Sequence, residues 1–104
     1  MKKALLLVCL LAGMALASTK SFTVTLTEPS FVGGTELKAG DYRCELTDQK
    51  LVIRRGHNTA ETDVRVETGE SKYSSTSVRY DNADGKAKLQ EIRVGGTNLR
   101  LVLN

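Results

Sequence analysis

Three groupings along the 104-residue chain carry residue types that can do chemistry. The first is Cys44 with His57, the thiol and imidazole of a nucleophilic dyad. Such a pair needs an exposed, activated thiolate. Cys44 instead alternates with Tyr42 and Leu46 against Asp41, Arg43, Glu45 and Thr47, which makes it a small, inert core hydrophobe. His57, the one histidine, stands between Arg54-Arg55-Gly56 and Asn58-Thr59. That is a turn tip, where a solvated side chain is expected, and no His or Cys partner stands at metal-ligand spacing.

The second grouping runs from Tyr80 to Glu91. With Gly85 as the sixth position of a calcium loop, Asn82 takes the third, Asp84 the fifth and Glu91 the twelfth. The first position is then Tyr80, which has no carboxylate, and Asp81 is out of register. A hairpin loop closed by Asp84-Gly85 accounts for the same residues. The third grouping, Glu61, Asp63 and Glu67, shares a strand face with Arg65. Paired carboxylates can do acid–base work, yet on a solvated sheet they more often meet bases across the ladder. Arg54, Lys72 and Arg79 are the candidate partners. A glycan-cleaving cleft also wants aromatics, and beyond residue 17 these are Phe22, Phe31, Tyr42, Tyr73 and Tyr80. The expectation is no catalysis, no cofactor and no metal.

The elements that must position these residues are strands. Phe22, Val24 and Leu26 alternate with polar residues, as do Thr62, Val64 and Val66, and again Leu99, Leu101 and Leu103. Period-two spacing of this kind marks strands with one face inward and one in water. Eleven threonines favour sheet, and no window supports a helix longer than a turn. Turn residues separate the runs, placing strands near 20–27, 34–38, 41–47, 50–55, 60–68, 73–80, 86–94 and 97–103. The fold class expected is all-β: seven to eight short antiparallel strands forming a sandwich or a small barrel. The expected core is Phe22, Val24, Leu26, Leu37, Tyr42, Leu46, Ile53, Val64, Val66, Val78, Leu89, Leu99 and Leu101. Parity slips between Leu89 and Ile92, which calls for a bulge near Gln90-Glu91 or a strand covered on both faces. The first and last strands are both strong, and their pairing would remove an exposed edge.

Met1 to Ala17 has a different composition. Lys2 and Lys3 precede the apolar run Ala4 to Leu11, and Ala15-Leu16-Ala17 offers a small-x-small cleavage site before Ser18. This is the pattern of a secretory signal. Its apolar stretch falls short of the roughly 20 residues of a membrane span. Cys9 lacks the small preceding residue of a lipidated cysteine. The domains are therefore 1–17, a signal peptide, and 18–104, a single β domain left with Cys44 alone and no internal disulfide. Removing Lys2 and Lys3 from the 15 bases and none of the 12 acids lowers the net charge from +3 to +1. A near-neutral domain with interspersed charges excludes a nucleic-acid partner.

Val32-Gly33-Gly34-Thr35-Glu36-Leu37-Lys38 is echoed by Val94-Gly95-Gly96-Thr97-Asn98-Leu99-Arg100. Good turn-into-strand chemistry accounts for the echo, with a pseudo-symmetric fold as the alternative. Neither copy opens helical spacing, as a phosphate-binding loop would. The segment from Val32 to Leu46, with Gly33-Gly34-Thr35, Leu37-Lys38-Ala39-Gly40 and Tyr42, resembles a type of small exported bacterial β-protein. The late run Leu89-Gln90-Glu91-Ile92-Arg93 with Gly95-Gly96-Thr97, and the apolar last strand, carry the same resemblance. It implies export and brings no activity or ligand with it. Cys44 occupies a position where that resemblance leads one to expect an aliphatic residue.

These observations point to an exported, monomeric β module, secreted or periplasmic, with a structural or interaction role at the bacterial cell envelope. Its partner would be an envelope protein or polymer, met through the loops that carry Arg54, Arg55, His57 and Asn58 and Asp81, Asn82 and Asp84. The alternatives are a small-molecule carrier with a lipocalin-like or avidin-like barrel interior, and an inhibitor of an exported hydrolase presenting Gly56 to Ala60.

Overall fold

Alternating apolar and polar residues fold into nine strands in the computed structural model, which describes residues 19–82 and 85–103. The expected signal peptide and its cleavage before Ser18 lie outside the described residues, as do Ala83, Asp84 and Asn104. The strands are β1 (Thr19–Leu26), β2 (Ser30–Val32), β3 (Thr35–Leu37), β4 (Gly40–Thr47), β5 (Lys50–Arg55), β6 (Asn58–Thr68), β7 (Ser77–Asp81), β8 (Lys88–Arg93) and β9 (Leu99–Leu103). They form one mixed sheet in the order β1-β4-β5-β6-β9-β8-β2-β3, with β7 on the other edge of β8.

Strand β6 makes the architecture possible. Over its 11 residues it serves two partners in turn. Asn58–Asp63 pairs with β5, and Val64–Thr68 pairs with β9. The sheet therefore has two halves, β1-β4-β5-β6 and β6-β9-β8-β7, that curl over a common core. The ends of the sheet, β1 and β7, approach one another without pairing, so the barrel is not closed. Where β9 ends, the β2–β3 hairpin fills the space between β6 and β8. It pairs Phe31 with Lys88 in parallel and leans on β6. That contact makes an otherwise antiparallel sheet a mixed one.

The core is one cluster drawn from both halves. Cys44, Leu51, Ile53, Val32, Ile92 and Leu101 are wholly enclosed. The aliphatic side chains among them each contribute roughly 1.5–3 kcal/mol by leaving water. Tyr42 is buried but keeps its hydroxyl satisfied by donating to the Lys38 carbonyl at 2.7 Å.

Several expectations are corrected. A strand at Ser30–Val32 follows directly on the Glu28-Pro29 turn, making nine strands rather than seven or eight. The run expected at 73–80 is a strand only over Ser77–Asp81, because residues 69–76 dock as a loop on the turn at 94–98. The first and last strands do not pair. β1 is an edge, and β9 lies between β6 and β8. Phe22, Val66, Val78 and Leu99 are only partly buried, whereas Leu51, Ala60, Ile92, Val94 and Leu103 join the core. The expected bulge is present. Arg79 pairs with Glu91 and Tyr80 with Leu89, leaving Gln90 as the extra residue.

The two Gly-Gly-Thr turns are not copies of one conformation. Gly33 and Gly34 both have positive φ (57° and 90°), the requirement of a two-residue hairpin turn, whereas of Gly95 and Gly96 only Gly96 does (78°). In the second turn a Cβ on Gly95 would come within 2.6 Å of the Ser75 and Thr76 backbone. That close approach lets Gly95 N–H donate to Thr76 Oγ1 at 2.9 Å and pins the 69–76 loop in place.

Candidate functional site

The loop residues singled out in the sequence are divided between two hairpins. Arg54 and Arg55 end β5, and Gly56-His57 make a two-residue turn into Asn58, the first residue of β6. The segment Gly56 to Ala60 is thus a tight turn and the start of a strand, not an extended loop. Arg54 and Arg55 leave opposite faces of the sheet. Arg54 reaches Glu45 at 2.9 Å on the outer face, while Arg55 folds over Gly40 and donates to the Ala39 carbonyl at 3.2 Å. Asp81 and Asn82 lie at the exposed end of β7, on the other half of the sheet, and Asp84 lies outside the described residues. Among the described residues, those of the two hairpins are not assembled into one site.

The dyad is not assembled either. Cys44 sits mid-sheet between Phe22 and Ile53, fully enclosed, and burial pushes its thiol up to about 12. His57 is exposed on its turn. Glu61 and Asp63 both pair with Lys50, at 3.6 and 3.5 Å. They meet a base across the ladder as expected, but a base other than the candidates Arg54, Lys72 and Arg79.

What the structure does assemble is an arginine cluster on the outer face of β6-β9-β8-β7. The pairing registers align two rows across the strands. One row holds Arg65, Val102, Glu91 and Arg79; the next holds Glu67, Arg100, Arg93 and Ser77. The bulge at Gln90 is what brings Glu91 there. Under strict alternation through Gln90, with no bulge, Glu91 would share the inward face of Leu89.

Within this cluster Glu67 accepts from Arg65 Nε at 2.8 Å and from the Arg100 guanidinium. Glu91 accepts from Arg93 Nε at 2.8 Å and faces Arg79 at 3.7 Å. The Arg93 guanidinium lies 5.6 Å from the centre of the Tyr73 ring, which the loop at 69–76 carries to this face. Such stacking suits a planar cation. Hydrogen bonds from Arg100 and Arg65 hold the Glu67 carboxyl below its ordinary range, and the bond to Glu67 raises Arg100 in return. Glu91 is largely buried, its side chain 10% exposed, so its charge is held by guanidinium contacts more than by water.

Four arginines against two glutamates leave the face with a net charge of +2. Arg93 and Arg100 stand directly opposite one another, a pairing that costs stability unless counter-charges flank it. Sequence alternation places Arg65 and Glu67 on one face of their strand. It gives no sign that β9 lies between β6 and β8, which is what joins the four arginines.

A second feature is an open groove of about 530 Å³ beside the β4–β5 turn, lined by Lys20, Leu46, Asp48, Gln49, Val66 and Leu99. Its floor is apolar, and its rim carries one charge of each sign. No family model, curated protein or solved structure matches the chain.

Proposed function

We propose that the chain is an exported, non-catalytic β module that works by contact at the cell envelope, with the arginine face of β6-β9-β8-β7 as its contact surface. The observation that carries this is the division of labour in the fold. The interior holds one cluster of the protein's own buried side chains, while the outer face of one half gathers four guanidiniums with a surplus of positive charge. The Cys44 thiol is enclosed, and the acids of β6 and β8 are tied to Lys50 or to arginine. Export is supported by the leader pattern of Met1 to Ala17. The partner is an envelope protein or polymer that presents negative groups.

Pull-down from envelope extract tests this. The wild-type domain should recover a partner, and Arg93→Ala with Arg100→Ala should weaken its recovery. Intact mass of the exported protein should correspond to a chain beginning at Ser18. The groove between Lys20 and Leu99 favours one competing reading, a small-molecule carrier. A stoichiometric ligand in native mass spectrometry, with no arginine-dependent partner, would replace the contact role by that one.

A further inference from the structure

Resting on the contact-face reading, we infer that the chemical group recognised by the arginine face is a phosphate. Three features point to it. Arg65 and Arg93 are each held through Nε by a glutamate of the same chain, at 2.8 Å. That mode of anchoring fixes the guanidinium plane and leaves its two terminal nitrogens for another oxoanion, the geometry of bidentate recognition. Next, Arg93 and Arg100 are paired directly across β8 and β9, where neighbouring strands lie about 4.8 Å apart. An oxoanion with several oxygens can bridge two cations at that spacing and relieve their repulsion.

The third feature is charge. The face carries +2, and a phosphate monoester near neutral pH carries about −1.5 to −2. Glu67 and Glu91 of the same chain already balance two of the four guanidiniums. What remains uncompensated matches a dianion better than a further single carboxylate. Tyr73 under Arg93 stiffens one side of the site. The phosphate monoester can be a lipid headgroup or a group carried by a polymer or soluble ester, and its chemistry at the arginines is the same.

The test is an NMR titration of the arginine Nε–Hε signals of the chain beginning at Ser18 with inorganic phosphate and with tripolyphosphate. Arg65, Arg93 and Arg100 should shift together and saturably, while Arg43, Arg54 and Arg55 stay in place. Loss of a charged hydrogen-bond donor should weaken tripolyphosphate binding by about tenfold in Arg93→Ala or Arg100→Ala, with Arg43→Ala at the wild-type value. Melting curves establish that each variant is folded. A parallel flotation assay uses phosphatidylcholine vesicles with and without phosphatidic acid, whose headgroup is a phosphate monoester. Arginine-dependent flotation assigns the phosphate to a lipid; saturable shifts without flotation assign it to a polymer or soluble ester.

No saturable shift with any probe, or equal shifts at Arg43 and Arg54, overturns the inference. If arginine-dependent recovery from envelope extract persists in that case, the contact face stands and only phosphate is removed. If recovery never depended on the arginines, the face itself falls.

Discussion

The two halves of the sheet share one core yet present unlike outer surfaces. On β1-β4-β5-β6 the outer face carries Thr19, Ser21, Thr23 and Thr25 beside Asp41, Arg43, Glu45, Lys50, Arg54, Glu61 and Asp63, a net charge of −1. Glu61 and Asp63 are solvated, 57% and 78% exposed, and Lys50 meets them at 3.5 to 3.6 Å, while Glu45, 35% exposed, pairs with Arg54 at 2.9 Å. On β6-β9-β8-β7 the acids are sheltered, Glu91 at 10% and Glu67 at 30%, with Arg–Glu contacts of 2.8 Å. Apart from the Arg54–Glu45 pair, the first face is a dispersed, screened array whose pairs are worth little. The second is a preformed lattice of planar cations. The same alternation pattern thus produces a solubilising surface on one half and an organised one on the other. The difference lies in non-local strand order.

The largest expected effects concern what the halves share. Ile53→Ala on β5 and Leu101→Ala on β9 should each cost about 2–5 kcal/mol through a cavity, measured by chemical denaturation. Both should unfold in a single transition. Two transitions, one moved by each variant, would show that the halves have separate cores and that the comparison is between domains.

Next is the anchoring of Tyr73. Gly95→Ala should cost about 1–3 kcal/mol by overpacking against the Ser75–Thr76 backbone, and it should release the 69–76 loop to faster hydrogen exchange. A variant with wild-type stability and exchange would show that the loop is not pinned by this approach.

Smaller effects separate the faces. Glu91→Gln removes the carboxylate shared by Arg79 and Arg93 and should cost on the order of 1 kcal/mol, against under about 0.5 for Glu61→Gln on the solvated face. Equal costs would erase the distinction. In an acid titration followed by NMR, the Glu67 carboxyl should titrate below the ordinary range, and Arg100→Ala should raise it. Because its value is lowered on folding, the stability it contributes is present above the unfolded value and lost as the pH falls through the folded one.

The core has its own pH signature. The Cys44 thiol is raised from 9.0 to about 12, so the folded chain keeps its proton longer than the unfolded one. Stability from this group is full below pH 9 and declines between pH 9 and 12. Cys44→Ala should flatten that decline in denaturation curves taken across the range. An unchanged slope would place the thiol in contact with water.

Much of the fold was legible because alternation is a local signal. Tyr42, Cys44 and Leu46 point inward as their spacing requires, and the parity slip between Leu89 and Ile92 is the bulge at Gln90. Local signals fail where non-local packing decides. Ser30–Val32 is too short to alternate visibly, yet Phe31 becomes a strand residue because its N–H meets the Ala87 carbonyl at 2.8 Å. Tyr73 has a strand's residue type but joins a loop, because the turn at 94–98 offers it hydrogen bonds first. The candidate site was the least legible part. Arg65, Arg79, Arg93 and Arg100 lie on four strands, and their sequence separation conceals a face that exists only once β9 enters between β6 and β8.

The central claim is that contact runs through the arginine face and not through its opposite. Its most direct test is quantitative binding of three proteins to the same envelope extract: wild type, Arg93→Ala with Arg100→Ala, and Arg43→Ala with Arg54→Ala. All three must show native melting curves. The account predicts that the first double variant loses binding by tenfold or more, on the order of one charged contact, and that the second binds as wild type. Loss confined to the Arg43–Arg54 variant, or none in either, would contradict it.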